Sequence, residues 1–191
     1  MFKKRYSKIK DERLVNLIAT GDQQAFSELY ARYKDRLYYY FLRMLNHCPD
    51  TANDFLQDLF MKVIQHPEYF DPSKKFSTWI FTIASNMCKN EYRRLEVRSR
   101  AHSDPACFNS DDSRKEIDEQ DLLVKQLFIE LDKLGNDHRE VFLLYYREGF
   151  TVKEIEQILD IASGTIKSRL HYARKHLQQK LSKHQYLFLN D

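Results

Sequence analysis

The residues best suited to chemistry in this chain lie between Thr151 and Leu177, in the run TVKEIEQILDIASGTIKSRLHYARKHL. Two short helical patterns meet there at a tight turn written IASG. In the first, Val152, Ile155, Ile158 and Leu159 recur at the spacing of one helix face. In the second, Ile166, Leu170, Ala173 and Leu177 make the apolar stripe, which turns Lys167, Ser168, His171, Tyr172, Arg174 and Lys175 away from the core. Thr151 and Glu154 have capping-box spacing, and Ser163 is expected to cap the second helix. A cationic, hydrogen-bonding second helix behind a short turn is the pattern of a helix-turn-helix, whose second helix enters the DNA major groove. The competing reading is a helical hairpin with a solvated basic face. Agreement of turn, caps and charge sign favours DNA.

Two further groupings lie upstream. Asp50, Asp54 and Asp58 repeat every four residues, and Gln57, Met61, Lys62 and Gln65 also sit off the apolar stripe. Such a row raises metal or acid–base chemistry, but no His or Cys completes a ligand set. A docking face for a basic protein partner is the better account, with plain solvation close behind. The other grouping is Asn86, Lys89, Asn90, Tyr92, Arg93 and Arg94. An aromatic ring, amides and guanidinium groups together suit unstacked bases: stacking, edge hydrogen bonds and phosphate contacts respectively. Trp79, Phe76 and Phe81 lie upstream on the same helix. The alternative is that Trp79 is core and the arginines are a solubilising tail.

The elements that must hold these groups are helices. Only four glycines and four prolines occur in 191 residues, and all four prolines stand between periodic segments. Few breakers with apolar spacing of three and four predict an all-α protein, and the glycine scarcity argues against a phosphate-cradling loop. An opening helix carries Leu14, Leu17 and Ile18 and ends near Thr20 and Gly21. Asp22 caps a long helix with the stripe Phe26, Leu29, Tyr30, Tyr33, Leu37, Tyr40, Phe41, Met44 and Leu45. Thr51 is expected to cap a third, with Asp54 at the capping-box position and Phe55, Leu56, Leu59, Phe60, Val63 and Ile64 buried. A fourth has Trp79, Ile80, Ile83, Ala84 and Met87 on its apolar side. After a Ser-, Asp- and Asn-rich stretch around Pro105, a further helix carries Leu123, Leu127, Leu131 and Leu134. Gly135 ends it, and Asp137 with Glu140 opens another that buries Val141, Phe142 and Tyr145. The expected architecture is two small helical domains on a flexible linker: 11 to 97, a linker over 98 to 114, 115 to 182, and a tail over 183 to 191.

Net charge is only +3, but it is segregated. No acid occurs from Ile161 to Asn190, whereas Asp104, Asp111, Asp112, Glu116, Asp118, Glu119 and Asp121 outnumber Arg114 and Lys115. The basic block suits phosphates; the acidic block suits a solvated linker or a basic channel. Cys48, Cys88 and Cys107 lack metal-type spacing and read as reduced cytosolic thiols. No apolar run approaches the ~20 residues of a membrane span, and the basic N-terminus lacks the apolar core of a signal peptide.

The segments LQDLFMKVIQ, FSTWIFTIASNMCKNEYRR and HREVFLLYYREGFTVKEIEQILDIASGTIKSRLHYARKHL, in that order and spacing, resemble an ECF (extracytoplasmic function) sigma factor of the bacterial sigma-70 family. The resemblance covers roughly residues 11 to 95 and 116 to 181. It implies a non-enzymatic, cytoplasmic, cofactor-free initiation factor, monomeric when free and without direct membrane insertion. Its partners would be core RNA polymerase (β′ clamp and β flap), promoter DNA and an anti-sigma factor that could hold it at the inner membrane. The resemblance assigns Asp54, Gln57, Asp58, Phe60, Met61 and Lys62 to docking on the clamp. Asn86, Lys89 and Asn90 would capture a flipped base of the −10 element, with Tyr92, Arg93 and Arg94 beside them. Lys167, Ser168, His171 and Tyr172 would face −35 bases, Arg169 and Arg174 phosphates, with Ser163, Thr165 and Lys175 completing the set. Glu156 departs from the family's small residue there, and is expected to escape to an edge or pair with Arg169. Two rival classes stay open: a dimeric helix-turn-helix regulator, and a nucleic-acid enzyme built on the aspartate row.

Overall fold

The structure, a computed structural model, describes residues 6–45, 48–101 and 119–181. It is helical throughout, with no strand among the described residues, and it divides into two units between Asn109 and Ser110.

The first unit contains α1 (Asp11–Ala19), α2 (Gln23–Met44), α3 (Pro49–Gln65) and α4 (Phe76–Ala101). Asp22 caps α2 as expected, accepting from the Gln24 and Ala25 N–H groups at 2.9 and 3.0 Å. The α3 start differs: Pro49 opens the helix and Cys48 precedes it, while the Thr51 hydroxyl donates to Cys48 Sγ. Proline needs no hydrogen-bond partner at a first helical position, so it outcompetes a threonine cap two residues on. The interior is aromatic. Tyr33 meets Phe76 edge-on, Tyr40 meets Phe81, and Tyr30 and Phe26 meet Phe60. These rings select the buried face of α4. Phe76, Ile80, Phe81, Ala84, Ser85 and Cys88 are inside, whereas Trp79, Ile83 and Met87 are half-buried, a face turned by one residue from the expected one. Tyr30 and Ile64, expected inside, are exposed.

Two polar contacts tie the N-terminal segment to this bundle. Arg32 donates to the carbonyls of Tyr6, Ser7 and Ile9 and to the carboxylates of Asp11 and Glu28. Glu12 Oε1 accepts from the Phe76 N–H at 3.1 Å, so α4 takes a terminal hydrogen bond from a residue 64 positions away. Burial, then the hydrogen bond to Asp11, drives the Tyr33 phenol far above its ordinary pKa.

The second unit contains α5 (Glu119–Asp132), α6 (Asn136–Phe142), a π-helical turn (Leu143–Arg147), α7 (Val152–Leu159) and α8 (Ser163–Lys180). Gly135, not Asp137, precedes α6. The π turn corrects the expected burial of Tyr145. Its wider winding, with the Glu148 N–H on the Leu143 carbonyl, puts Leu143 and Leu144 in the core and leaves Tyr145 exposed. Arg139 is buried but bonded to Asp132 and Asn136. Glu130 is likewise buried, and Lys133 at 2.6 Å holds its carboxyl below the usual range. α4 runs on through Ala101, past the expected linker start at Arg98. The rest of that linker, Cys107, the start near Lys115 and the tail lie outside the described residues.

Candidate functional site

The helix-turn-helix is built as its sequence pattern requires. Thr151 and Glu154 form a reciprocal capping box at α7, and Ile155, Ile158 and Leu159 are buried. All four stripe residues of α8 are buried: Ile166, Leu170, Ala173 and Leu177. Asp160 turns the chain between the helices, at φ 54° in the left-handed region that Asp tolerates better than most residues. With that side of α8 committed to the core, Thr165, Lys167, Ser168, His171, Tyr172, Arg174 and Lys175 are all exposed. Tyr172, 55% exposed, rests partly on the His138 ring, 4.7 Å between centroids. The Ser168 hydroxyl donates back to the Thr165 carbonyl at 2.9 Å.

Two expectations are corrected here. Ser163 is the first residue of α8 rather than its cap, and Ala162 before it offers no side-chain bond. The missing cap comes from Glu156, whose Oε1 accepts the Ser163 N–H at 3.1 Å. A carboxylate at a helix N-terminus also meets the favourable end of the helix dipole. Arg169, expected as a possible partner of Glu156, pairs instead with Asp137 on α6. Replacing Glu156 with Ala should therefore cost the unit about 0.5–2 kcal/mol, the range for losing a side-chain cap. Glu156→Gln, which keeps the acceptor, should recover much of that; equal thermal destabilisation by both would show that charge alone matters.

In the first unit, Asp54, Gln57, Asp58, Met61 and Lys62 form one exposed strip of α3. Phe60 does not join them. At 3% exposure it is locked between Phe26 and Tyr30, so it orients the helix and presents no surface of its own. On α4, Asn86, Asn90 and Arg93 are exposed along one face, with Arg93 Nη1 3.5 Å from the Asn90 Oδ1. Lys89 is half-buried beside them. Arg94 is paired with Glu91 at 2.8 Å, and the Tyr92 hydroxyl donates to the Met44 carbonyl. The ring of Tyr92 is thus fixed against α2 by its own hydroxyl. The contacts of Asp137 and His138 with α8 are not legible in the sequence: no spacing rule joins Asp137 to Arg169 or His138 to Tyr172.

Two units, helical over their described residues, one presenting a helix-turn-helix with a basic outer strip and the other an exposed amide-and-arginine edge, have the build of a DNA-binding protein. The comparisons narrow the class. Residues 29–98 match the family model for sigma-70 region 2, and residues 130–177 match sigma-70 region 4. The chain is 31% identical to the ECF RNA polymerase sigma factor SigL of Mycobacterium tuberculosis over 85% of its own length and 92% of that protein's. It is 29% identical to the ECF sigma factor SigW of Bacillus subtilis, over 95% of this chain and 97% of that one. Among solved structures it is similar to CnrH in complex with the cytosolic domain of CnrY, with a TM-score of 0.67 at 25% identity, covering 91% of this chain and 98% of that one. It is also similar to the sigma factor RpoE bound to the anti-sigma factor NepR from Bartonella quintana, with a TM-score of 0.66 at 26% identity over 82% and 96% of the two chains. The chain belongs to the ECF sigma factors of the sigma-70 family, non-enzymatic factors that direct RNA polymerase to promoters.

Proposed function

We propose that the two units divide promoter recognition between paired and melted DNA. The domain over 11 to 97 docks on the β′ clamp of core polymerase through Asp54, Gln57, Asp58, Met61 and Lys62, and takes up an extruded −10 base at Asn86, Lys89 and Asn90. Arg93 holds the neighbouring backbone. The domain over 115 to 182 lays α8 in the major groove of the −35 element, with Lys167, Ser168, His171 and Tyr172 toward bases, Arg174 toward a phosphate and Lys175 completing the set. Residues 98 to 114 tether the two. Capturing an unstacked base offsets the few kcal/mol that unstacking costs, so strand opening needs no ATP. The observation that carries this reading is the division of α8 into a buried apolar stripe and an exposed polar strip.

Control by an anti-sigma factor is part of the proposal. Both structural relatives described above were captured with such a partner or with a partner's cytosolic domain. The factor would act in the cytoplasm and be held at the inner membrane when its partner is anchored there. The deciding experiment is reconstitution: the purified chain should associate with bacterial core polymerase and direct initiation at defined sites. A stable free dimer on a palindromic site, active without polymerase, would replace this reading with an ordinary regulator. Within the −35 contact, Lys167→Ala should change base preference by ~1–3 kcal/mol at one position, as loss of a bidentate base contact does. Selection from a randomised −35 duplex would read this out. Uniform weakening across all sequences would make Lys167 a phosphate contact.

A further inference from the structure

Thr165, Arg169 and His176 follow one flank of α8 at spacings of four and seven, beside the base-facing Ser168, His171 and Tyr172. A helix about 10–12 Å across fills a major groove about 12 Å wide, so helix flanks lie against the groove's phosphate walls. Arg169 is therefore at a position where a guanidinium would meet a phosphate. Its Nη2 is bonded instead to Asp137 Oδ2, from the first turn of α6. The Asp137 side chain is 63% exposed and that of Arg169 only 23% exposed, so the anion stands outward and draws the cation along the body of the unit. His138, the next residue, packs its ring on Tyr172, so one turn of α6 engages α8 twice.

We propose that Asp137 is an internal stand-in for a DNA phosphate, holding Arg169 and withholding one backbone contact from the duplex. The inference rests on the reading of α8 as the −35 helix and adds to it. It makes Asp137 a positioning residue that acts through Arg169. Its consequence is a −35 domain whose grip on duplex DNA is set below what its cations allow. That suits a factor whose choice of promoter depends on two tethered contacts made together, because tight binding by one domain alone would hold it at sites lacking the other.

Backbone contacts are independent of sequence, so the test needs no promoter: the full chain is titrated with a fluorescent mixed-sequence duplex at several salt concentrations. Asp137→Ala should tighten binding roughly five- to tenfold near 0.1 M salt and steepen the log–log salt slope by about 0.9, the signature of one added phosphate contact. Asp137→Asn, which keeps the shape and removes the charge, should move both quantities in the same direction. Arg169→Ala should change little in the native background and should erase both gains when combined with Asp137→Ala. Unchanged slope in both Asp137 variants, or weaker binding at unchanged slope, overturns the proposal and leaves the pair as a packing contact. Lys167→Ala with Lys175→Ala serves as the separate check on α8. If that double variant binds as well as the native chain, the −35 assignment itself fails; if it binds less well while Asp137→Ala has no effect, only the present inference fails.

Discussion

Reversing the charge at one point of α3, with Asp54→Arg combined with Gln57→Ala, should abolish binding to core polymerase. Both positions are exposed, and the helix beneath them is held by Leu56, Leu59, Phe60 and Val63, so the fold has no reason to respond. A helix presenting Asp54 and Asp58 suits a basic partner surface, and placing a guanidinium there sets like charge against like. Such juxtapositions cost several kcal/mol at an interface, and a loss of about 3–4 kcal/mol lowers affinity roughly 140- to 700-fold. The measurement is equilibrium binding to purified core enzyme, with circular dichroism as the check on folding. Native affinity in a folded variant would remove the docking role from this strip.

Asn86→Ala should separate two steps of initiation that a generally weakened protein would lose together. Asn86 is exposed on α4, one turn from Asn90, and an amide there has both a donor and an acceptor for a base edge. That pairing exists only once the base has left the stack. Removing it should cost ~1–3 kcal/mol in the opened complex, about five- to 150-fold, and little in the closed one. Filter binding reports the closed complex, and permanganate reactivity of unpaired thymines reports opening. Equal losses in both would count against a flipped-base role.

How much of this could be read from the sequence differed by element. The helix-turn-helix was legible almost residue by residue, because capping box, apolar stripe and polar strip all answer to one local period. The number and order of the helices followed from spacing in the same way. The face of α4 was less legible: Trp79 and Phe81 are both large and apolar, and the rings of Tyr33 and Tyr40 on α2 decide between them. The exposure of Tyr145 is hidden from its spacing because a π turn breaks the helical period there. Phe60 belonged to both the expected core and the expected docking set, and only its contacts with Phe26 and Tyr30 settle that it belongs to the core. Glu156 and Asp137 were the least legible, since each meets its partner through the tertiary fold.

The cap that Glu12 lends to α4, and the clasp of Arg32 on Tyr6 to Ile9, carry a lesson about boundaries. The stretch by which kinship is detected in the first unit begins at residue 29, yet the groups that finish its last helix and pin its flank stand earlier in the chain. What evolution keeps recognisable and what the chain must close upon itself to stand are therefore different lengths of polypeptide. A fragment trimmed to the recognisable part would leave the Phe76 amide without its carboxylate and Arg32 without the carbonyls it gathers, and would be a poorer object than its pedigree suggests.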